Sequence, residues 1–336
     1  MRLLGLLLWA FGAAEDFSGS ALVLNKTDGT VWRIDLRTGS VQTTWQLGEG
    51  PHEVLLSSDG RWAVVALYGT AQQPGSALAV LDLGGQEPIR RIELAPYSRP
   101  HGLAWWGRDT LLVTAEAQAR LLLVSFSQGR VLGAIPTEAR LSHMVAADPS
   151  RGRAFTANIG SGSISALEVR SGRFLAQVPT GAGAEGIALR PGARELWVTN
   201  RAAHTISILD PDGLRVLDSL PCPGFPIRIA FTPDGSRALV SCAESGEVAV
   251  FEAASRRLLG RVRIPAPESD VPPGRLFGSR FGKSPVPIGL ALSPDGRYAL
   301  VAASYADRVH VIALDALRLV ASFRTGQEPD GIAWAP

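Results

Sequence analysis

Three histidines and a glutamate carry the first chemical signal in this chain. His52, His101 and His143 lie in Pro51-His52-Glu53-Val54, Pro100-His101-Gly102-Leu103 and Ser142-His143-Met144-Val145, and Glu185 holds the same slot in Ala184-Glu185-Gly186-Ile187. Neutral imidazoles with a carboxylate are ordinary ligands for zinc or a similar divalent ion. If one coordination position stays open, such an ion activates water. The chain has only five histidines among 336 residues, so three in one repeated slot are not scatter. Three readings stay open: a bound divalent metal, a metal-free polar ligand pocket, or a Pro-His-Gly turn inherited as the repeats duplicated. His204 and His310 fall outside the register, the first in a loop and the second in a strand.

The phrase itself predicts what positions these groups. It recurs as Pro226-Ile227-Arg228-Ile229, Pro287-Ile288-Gly289-Leu290 and Pro329-Asp330-Gly331-Ile332, with steps of 49, 42, 42, 42, 61 and 42 residues. Seven copies at about 40 residues predict an all-β, seven-bladed β-propeller, one four-stranded sheet per copy. Each phrase opens the innermost strand A. Turns such as Ser58-Asp59-Gly60, Pro233-Asp234-Gly235 and Pro294-Asp295-Gly296 lead to strand B, as at 62–67, 110–115, 154–158, 196–200, 238–242 and 298–303. The chain ends on a lone strand A at Pro329. The stretches 22–25, 31–35 and 41–47 read as strands B, C and D without an A. The last strand is therefore expected to complete the first blade and close the ring, removing two exposed edges.

In that architecture the slot-two residues rim the central channel, and the B–C loops surround the same opening. The candidate ligand-binding residues are Tyr68, Glu116, Asn158, Asn200, Arg201, Arg228, Tyr305 and Asp330, with Asn25 and Glu244 beside them. The candidate metal ligands are His52, His101, His143 and Glu185. The two long steps place insertions near 68–75, between strands B and C, and at 265–286, between strand D and the next A. Both fall on this face, where long insertions are often functional. The second carries Arg275, Phe277, Arg280, Phe281 and Lys283, and reads as a lid, a docking patch or a solvated loop.

Leu196-Trp197-Val198-Thr199-Asn200, with weaker copies Ala154-Phe155-Thr156-Ala157-Asn158 and Leu111-Leu112-Val113-Thr114-Ala115, resembles the YVTN β-propeller repeat family, a WD40-like repeat class. The resemblance covers nearly all of the chain after residue 14. It extends to propellers that carry d1 haem and to the heavy subunits of quinone-dependent amine dehydrogenases. It implies a fold far more firmly than a chemistry.

Composition narrows the partners. Thirty-three basic against 31 acidic residues give a net charge of +2, which makes no electrostatic case for nucleic acid. Met1-Arg2, an apolar run from Leu3 to Phe11 and Gly12-Ala13-Ala14 read as a cleaved export signal over 1–14, leaving 15–336 as one propeller domain in the periplasm or outside the cell. No stretch offers the about 20 apolar residues of a membrane helix. Cys222 and Cys242, the only cysteines, fall on the decorated face as a disulfide or two free thiols, and Cys-x-x-Cys-His haem attachment is absent. Gly-x-Ser-x-Gly, His-Glu-x-x-His and a phosphate-binding Gly-rich loop are absent too. The leading expectation is an exported, monomeric binding module for a small polar ligand or a protein. The alternatives are a metal-dependent lyase or hydrolase, with Glu116 or Tyr68 in proton transfer, and a redox propeller with haem d1 or a quinone partner.

Overall fold

The computed structural model describes residues 17–48, 50–85, 87–192, 194–268 and 274–336. The expected export signal and residues 269–273 of the long insertion lie outside them. Seven four-stranded antiparallel sheets form a closed ring. Blade 1 is composite. Pro329–Ala335 is its inner strand and pairs with Ser20–Asn25, from Ser20 opposite Ala335 to Asn25 opposite Pro329, with a register shift between Val23 and Asn25. Blades 2 to 7 begin at the inner strands Pro51–Leu56, Pro100–Trp106, Ser142–Asp148, Ala184–Leu189, Pro226–Phe231 and Pro287–Leu292. Each inner strand touches the next around the ring.

The apolar runs of the middle strands follow from this layout. Successive side chains of a strand face opposite sides of its sheet. In blade 1, Ala21 and Val23 pack against Leu300 and Ala302 of blade 7, while Leu22 and Leu24 pack against Val65 and Leu67 of blade 2. Leu111 and Val113 of blade 3 face blade 2, and Leu112 faces blade 4. Both faces are buried, so alternation disappears from the sequence. An eighth cluster, built on Phe225, Ile227, Phe281, Val286, Ile288 and Tyr305, lies under the long insertion.

The insertion at 68–75 is an extension of a hairpin. Trp62–Gly69 and Pro74–Asp82 run on past their neighbours in other blades and close through Thr70 N–H donating to the Gln73 carbonyl.

Glycine in slot three of the repeated phrase has a steric cause. A Cβ on Gly289 would stand 2.1 Å from the Asp330 carbonyl oxygen of blade 1, and one on Gly331 would stand 2.5 Å from the His52 carbonyl oxygen. Neighbouring inner strands approach too closely for a side chain there. Gly289→Ala is expected to cost about 1–3 kcal/mol through overpacking. Urea denaturation would measure it, and an unchanged midpoint would refute the steric reading.

Candidate functional site at the channel mouth

A repeated backbone device bolts the B–C loops to the channel rim. The residue before each inner strand is left-handed in all seven blades: Gly50, Arg99, Leu141, Gly183, Phe225, Val286 and Glu328, with φ between 51° and 75°. Five of these are not glycine, and Val286 is β-branched, so the conformation stores strain. Their carbonyls accept N–H bonds from Tyr68, Glu116, Ile159, Arg201, Ala243, Ser304 and Lys26, each at or just past the end of strand B of the same blade, at 2.9–3.3 Å. Tyr68, Glu116, Arg201 and Lys26 are thereby held next to the rim.

A second device fixes the rim carbonyls. Thr114 Oγ1 accepts from Gly102 N–H and donates to the His143 carbonyl of the next blade at 2.6 Å. Thr199 joins Gly186 to Ile227 in the same way, and Ser241 joins Arg228 to Ile288. A hydroxyl near the end of strand B thus sets the height of the neighbouring rim residue. The signal is the threonine of the Leu196–Asn200 motif.

The rim has a polar arc and an apolar arc. Asp330, His52, His101, His143 and Glu185 form the polar arc, all buried, and Ile227 and Ile288 complete the circle. His101 lies between its neighbours, with ring centroids 4.3 Å from His52 and 3.5 Å from His143, while His52 and His143 are 6.5 Å apart. The Tyr68 ring stands 5.1 Å from His52 and 5.6 Å from His101.

One side of the arc satisfies itself. His143 Nδ1 is 3.0 Å from Glu116 Oε2 and its Nε2 is 3.4 Å from Glu185 Oε1. Glu185 also meets Arg201 at 2.7 Å and Arg228 at 3.4 Å. Arg228 then reaches across the channel from blade 6 to Glu53 of blade 2. The other side does not. His52 Nδ1 is 2.6 Å from Asp330 Oδ2 but lacks the alignment of a hydrogen bond, and neither Asp330 oxygen has a bonded partner, although Lys26 Nζ is 3.8 Å away. His101 is fully buried, and both its ring nitrogens are without a partner.

Burial pushes the His101 pKa well below the usual imidazole range, aided by repulsion from His143 and His52. Burial lowers His52 too, with Asp330 opposing. It would also lower His143, but Glu116 and Glu185 outweigh it and raise that ring. Burial opposes ionisation of Glu185 and Asp330, yet His143 and Arg201 bring Glu185 down to about 2, and His52 and Lys26 hold Asp330 well below the carboxylate range. Burial and the nearby Glu116 push Tyr68 up to about 12, which keeps its phenol protonated at neutral pH. The surroundings thus favour the charged form of His143 and the neutral forms of His52 and His101.

The family model for YNCE-like beta-propellers matches residues 157–271, about a third of the chain. The fold is a seven-bladed β-propeller. Two solved structures share its architecture. One is a functionally unknown protein from Desulfotomaculum acetoxidans DSM 771, 16% identical, with a TM-score of 0.77, covering 95% of this chain and 99% of that one. The other is Kuenenia stuttgartiensis hydrazine synthase, 17% identical, with a TM-score of 0.70, covering 86% of this chain and 90% of that one. At these identities the likeness shows the fold alone. No curated protein matches the sequence.

In this propeller the sequence-derived candidates separate into three groups. His52, His101, His143, Glu185, Glu116, Tyr68, Arg201, Arg228 and Asp330 come together at the mouth. Asn158 and Asn200 are fully buried and spend their amide N–H groups on Ser163 and Ser165, and on Thr205 and Ser207, bracing their own blades. Tyr305 anchors the long insertion, its hydroxyl accepting from Phe277 N–H and donating to the Gly278 carbonyl. The insertion is docked through Arg275 to Asp307 and through contacts among Phe225, Phe277 and Phe281. It covers the apolar arc.

Sequence reasoning missed Lys26 and Glu53. Glu53 and Arg228 occupy the same slot, and four of the other five blades have glycine there; that pattern was the available signal. Among the described residues no group of three His, Cys, Asp or Glu side chains is arranged to hold a metal ion. A groove of about 350 Å³, lined by Asp234, Arg237, Asp295, Arg297 and Asp315 among others, lies at the opposite end of the blades, away from the histidines. No helix among the described residues is long and apolar enough to cross a membrane.

His310, in the third strand of blade 7, is buried with both nitrogens unpartnered, and burial, with Arg308, lowers its pKa from 6.5 to about 4. Between those values the unfolded chain binds a proton that the folded chain does not. The stability contribution is therefore complete above about pH 6.5 and is lost as pH falls through 4. His310→Leu is expected to gain about 2 kcal/mol on the wild type between pH 8 and pH 5. Urea unfolding at both pH values checks this, and equal differences would refute it.

Proposed function

We propose that this propeller is a binding module that takes a small polar ligand at the channel mouth, against His101 and its neighbours His52, Asp330 and Tyr68. The observation that carries the reading is His101, fully buried with two unpartnered nitrogens. Each orphaned buried polar atom costs about 1–3 kcal/mol unless a partner arrives. A melting-temperature screen of small polar compounds and divalent ions tests it. Compounds that stabilise the wild type and not His101→Leu support the reading. Compounds that stabilise both equally bind elsewhere and overturn it.

One observation favours a divalent ion as the ligand, and with it a metal-dependent lyase or hydrolase. Ligating histidines commonly carry a carboxylate on the other ring nitrogen. Glu116 stands so at His143 Nδ1, and Asp330 at His52 Nδ1. His143 Nε2 and Glu185 Oε1, 3.4 Å apart, have the separation of two ligands on one tetrahedral ion, about 3.4 Å. His101 and His143 would have to swing out of their present stack. Tyr68, protonated at neutral pH, would supply a proton. Elemental analysis of the purified chain separates the readings: stoichiometric metal that is lost in His101→Leu favours the ion, and its absence favours the metal-free site.

Export belongs to the same proposal. Expression of the full chain in a bacterium, with the N-terminus read by mass spectrometry, tests it. A chain retained uncleaved in the cytoplasm would refute export.

A further inference from the structure

The seam between blades 5 and 6 holds a second chemical site, independent of the channel mouth. Cys222 follows the outer strand of blade 5, Arg215–Pro221, and Cys242 ends the second strand of blade 6, Arg237–Cys242. Both are fully buried, and their sulfurs are 3.7 Å apart. A disulfide needs about 2.05 Å, so the pair stands in contact one short side-chain movement from bonding. Gly224, at φ 101°, makes this approach possible, since a Cβ there would stand 2.4 Å from Ser245 Oγ and 3.4 Å from Cys242 Cβ. The connector is held on both sides: Cys222 N–H donates to the His204 carbonyl at 2.8 Å, and Phe225 N–H donates to His204 Nδ1 at 3.2 Å.

A cation completes the arrangement. Arg261 Nη1 is 3.8 Å from Cys242 Sγ and 3.3 Å from both the Pro223 carbonyl and Glu247 Oε2. Two cysteines alone would be a packing pair. With a guanidinium against one sulfur, the thiolate form of that sulfur is favoured. Sharing of a proton with Cys222, and then Arg261, lowers the Cys242 pKa, while the same contact and burial raise Cys222.

We propose that Cys222 and Cys242 are a peroxide-oxidisable dithiol, with Cys242 the attacking sulfur and Cys222 the resolving one, and that the resulting disulfide staples blade 5 to blade 6. The Cys242 thiolate attacks one peroxide oxygen. The O–O bond breaks, hydroxide leaves, and Cys242 becomes a sulfenic acid. The Cys222 sulfur attacks that sulfur, the S–O bond breaks, and the oxygen leaves as water with the thiol proton. Two thiols are oxidised by two electrons and one hydrogen peroxide is reduced to two waters. Both sulfurs are fully buried, so peroxide would reach Cys242 through local opening of the seam. The bond would fix the Cys222–Phe225 connector, whose Phe225 ring lies under Arg201 and Arg280 and leads directly into the rim at Ile227.

The test uses the folded full chain. Hydrogen peroxide is added, quenched, and the protein is denatured and alkylated for mass spectrometry. The expected result is loss of the mass of two hydrogens, no alkylation at either cysteine, and recovery of two alkylatable thiols after dithiothreitol. Two thiols that remain alkylatable, or oxygen retained on Cys242 with Cys222 free, would overturn the proposal. Arg261→Met is expected to slow the oxidation about tenfold. An unchanged rate would overturn the role assigned to Cys242. Wild-type mass alone decides the bond, so the proposal survives a variant that fails to fold.

Discussion

Arg228→Met is expected to cost about 3–5 kcal/mol of folding stability, the penalty for stranding buried partner charges. Arg228 spans the channel, from blade 6 to Glu53 of blade 2, and it also faces Glu185. Its side chain and that of Glu185 are almost wholly buried. Methionine preserves much of the side-chain length, so the loss reports charge more than packing. Glu53 and Glu185 would be left with less compensation in a low-dielectric site. Adding Glu53→Gln should recover part of the loss, because an amide carries no charge to strand. Denaturant midpoints for the two single variants and the double variant measure this. Strictly additive losses would show that Arg228 and Glu53 do not act as a pair.

His101→Leu is expected to move stability the other way. Leucine carries no polar atom into a fully buried position that leaves two nitrogens orphaned. At about 1–3 kcal/mol for each orphan, the ligand-free variant should gain at least about 2 kcal/mol. A substitution that stabilises the protein while removing ligand response is the behaviour of a binding residue kept for function. Thermal melts of both proteins, each with and without ligand, check the pair of effects. A variant less stable than the wild type would show that the imidazole is satisfied in the resting protein and serves packing.

Much of the architecture was legible because a propeller repeats its physics. The recurring Pro-x-Gly phrase gave the inner strands, and where glycine fills the slot the neighbouring inner strand leaves no room for a side chain, as at Gly289 against Asp330. The lone final strand at Pro329 gave the closure, because an unpaired edge demanded a partner and residues 22–25 lacked one. The rim set at 52, 101, 143, 185 and 330 followed from the same register. What register could not reveal was partnering. Asn158 and Asn200 sit at the right height but turn their amides into their own blades, because Ser165 and Ser207 lie beside them on the adjoining strand. Tyr305 is drawn into anchoring the insertion through Phe277 and Gly278. The pairing of Arg228 with Glu53 spans 175 residues and the width of the channel, a separation that local sequence reading does not reach.

The proposed binding function rests on the unsatisfied imidazole at the centre of the polar arc. An electron-density map of the protein as purified, read at the channel mouth, tests it most directly. The account predicts a non-protein group within bonding distance of a His101 ring nitrogen, with His52 or His143 on the same group. A ring whose nitrogens bond only to protein atoms, with the imidazoles at positions 52 and 143 turned away from it, would contradict the account.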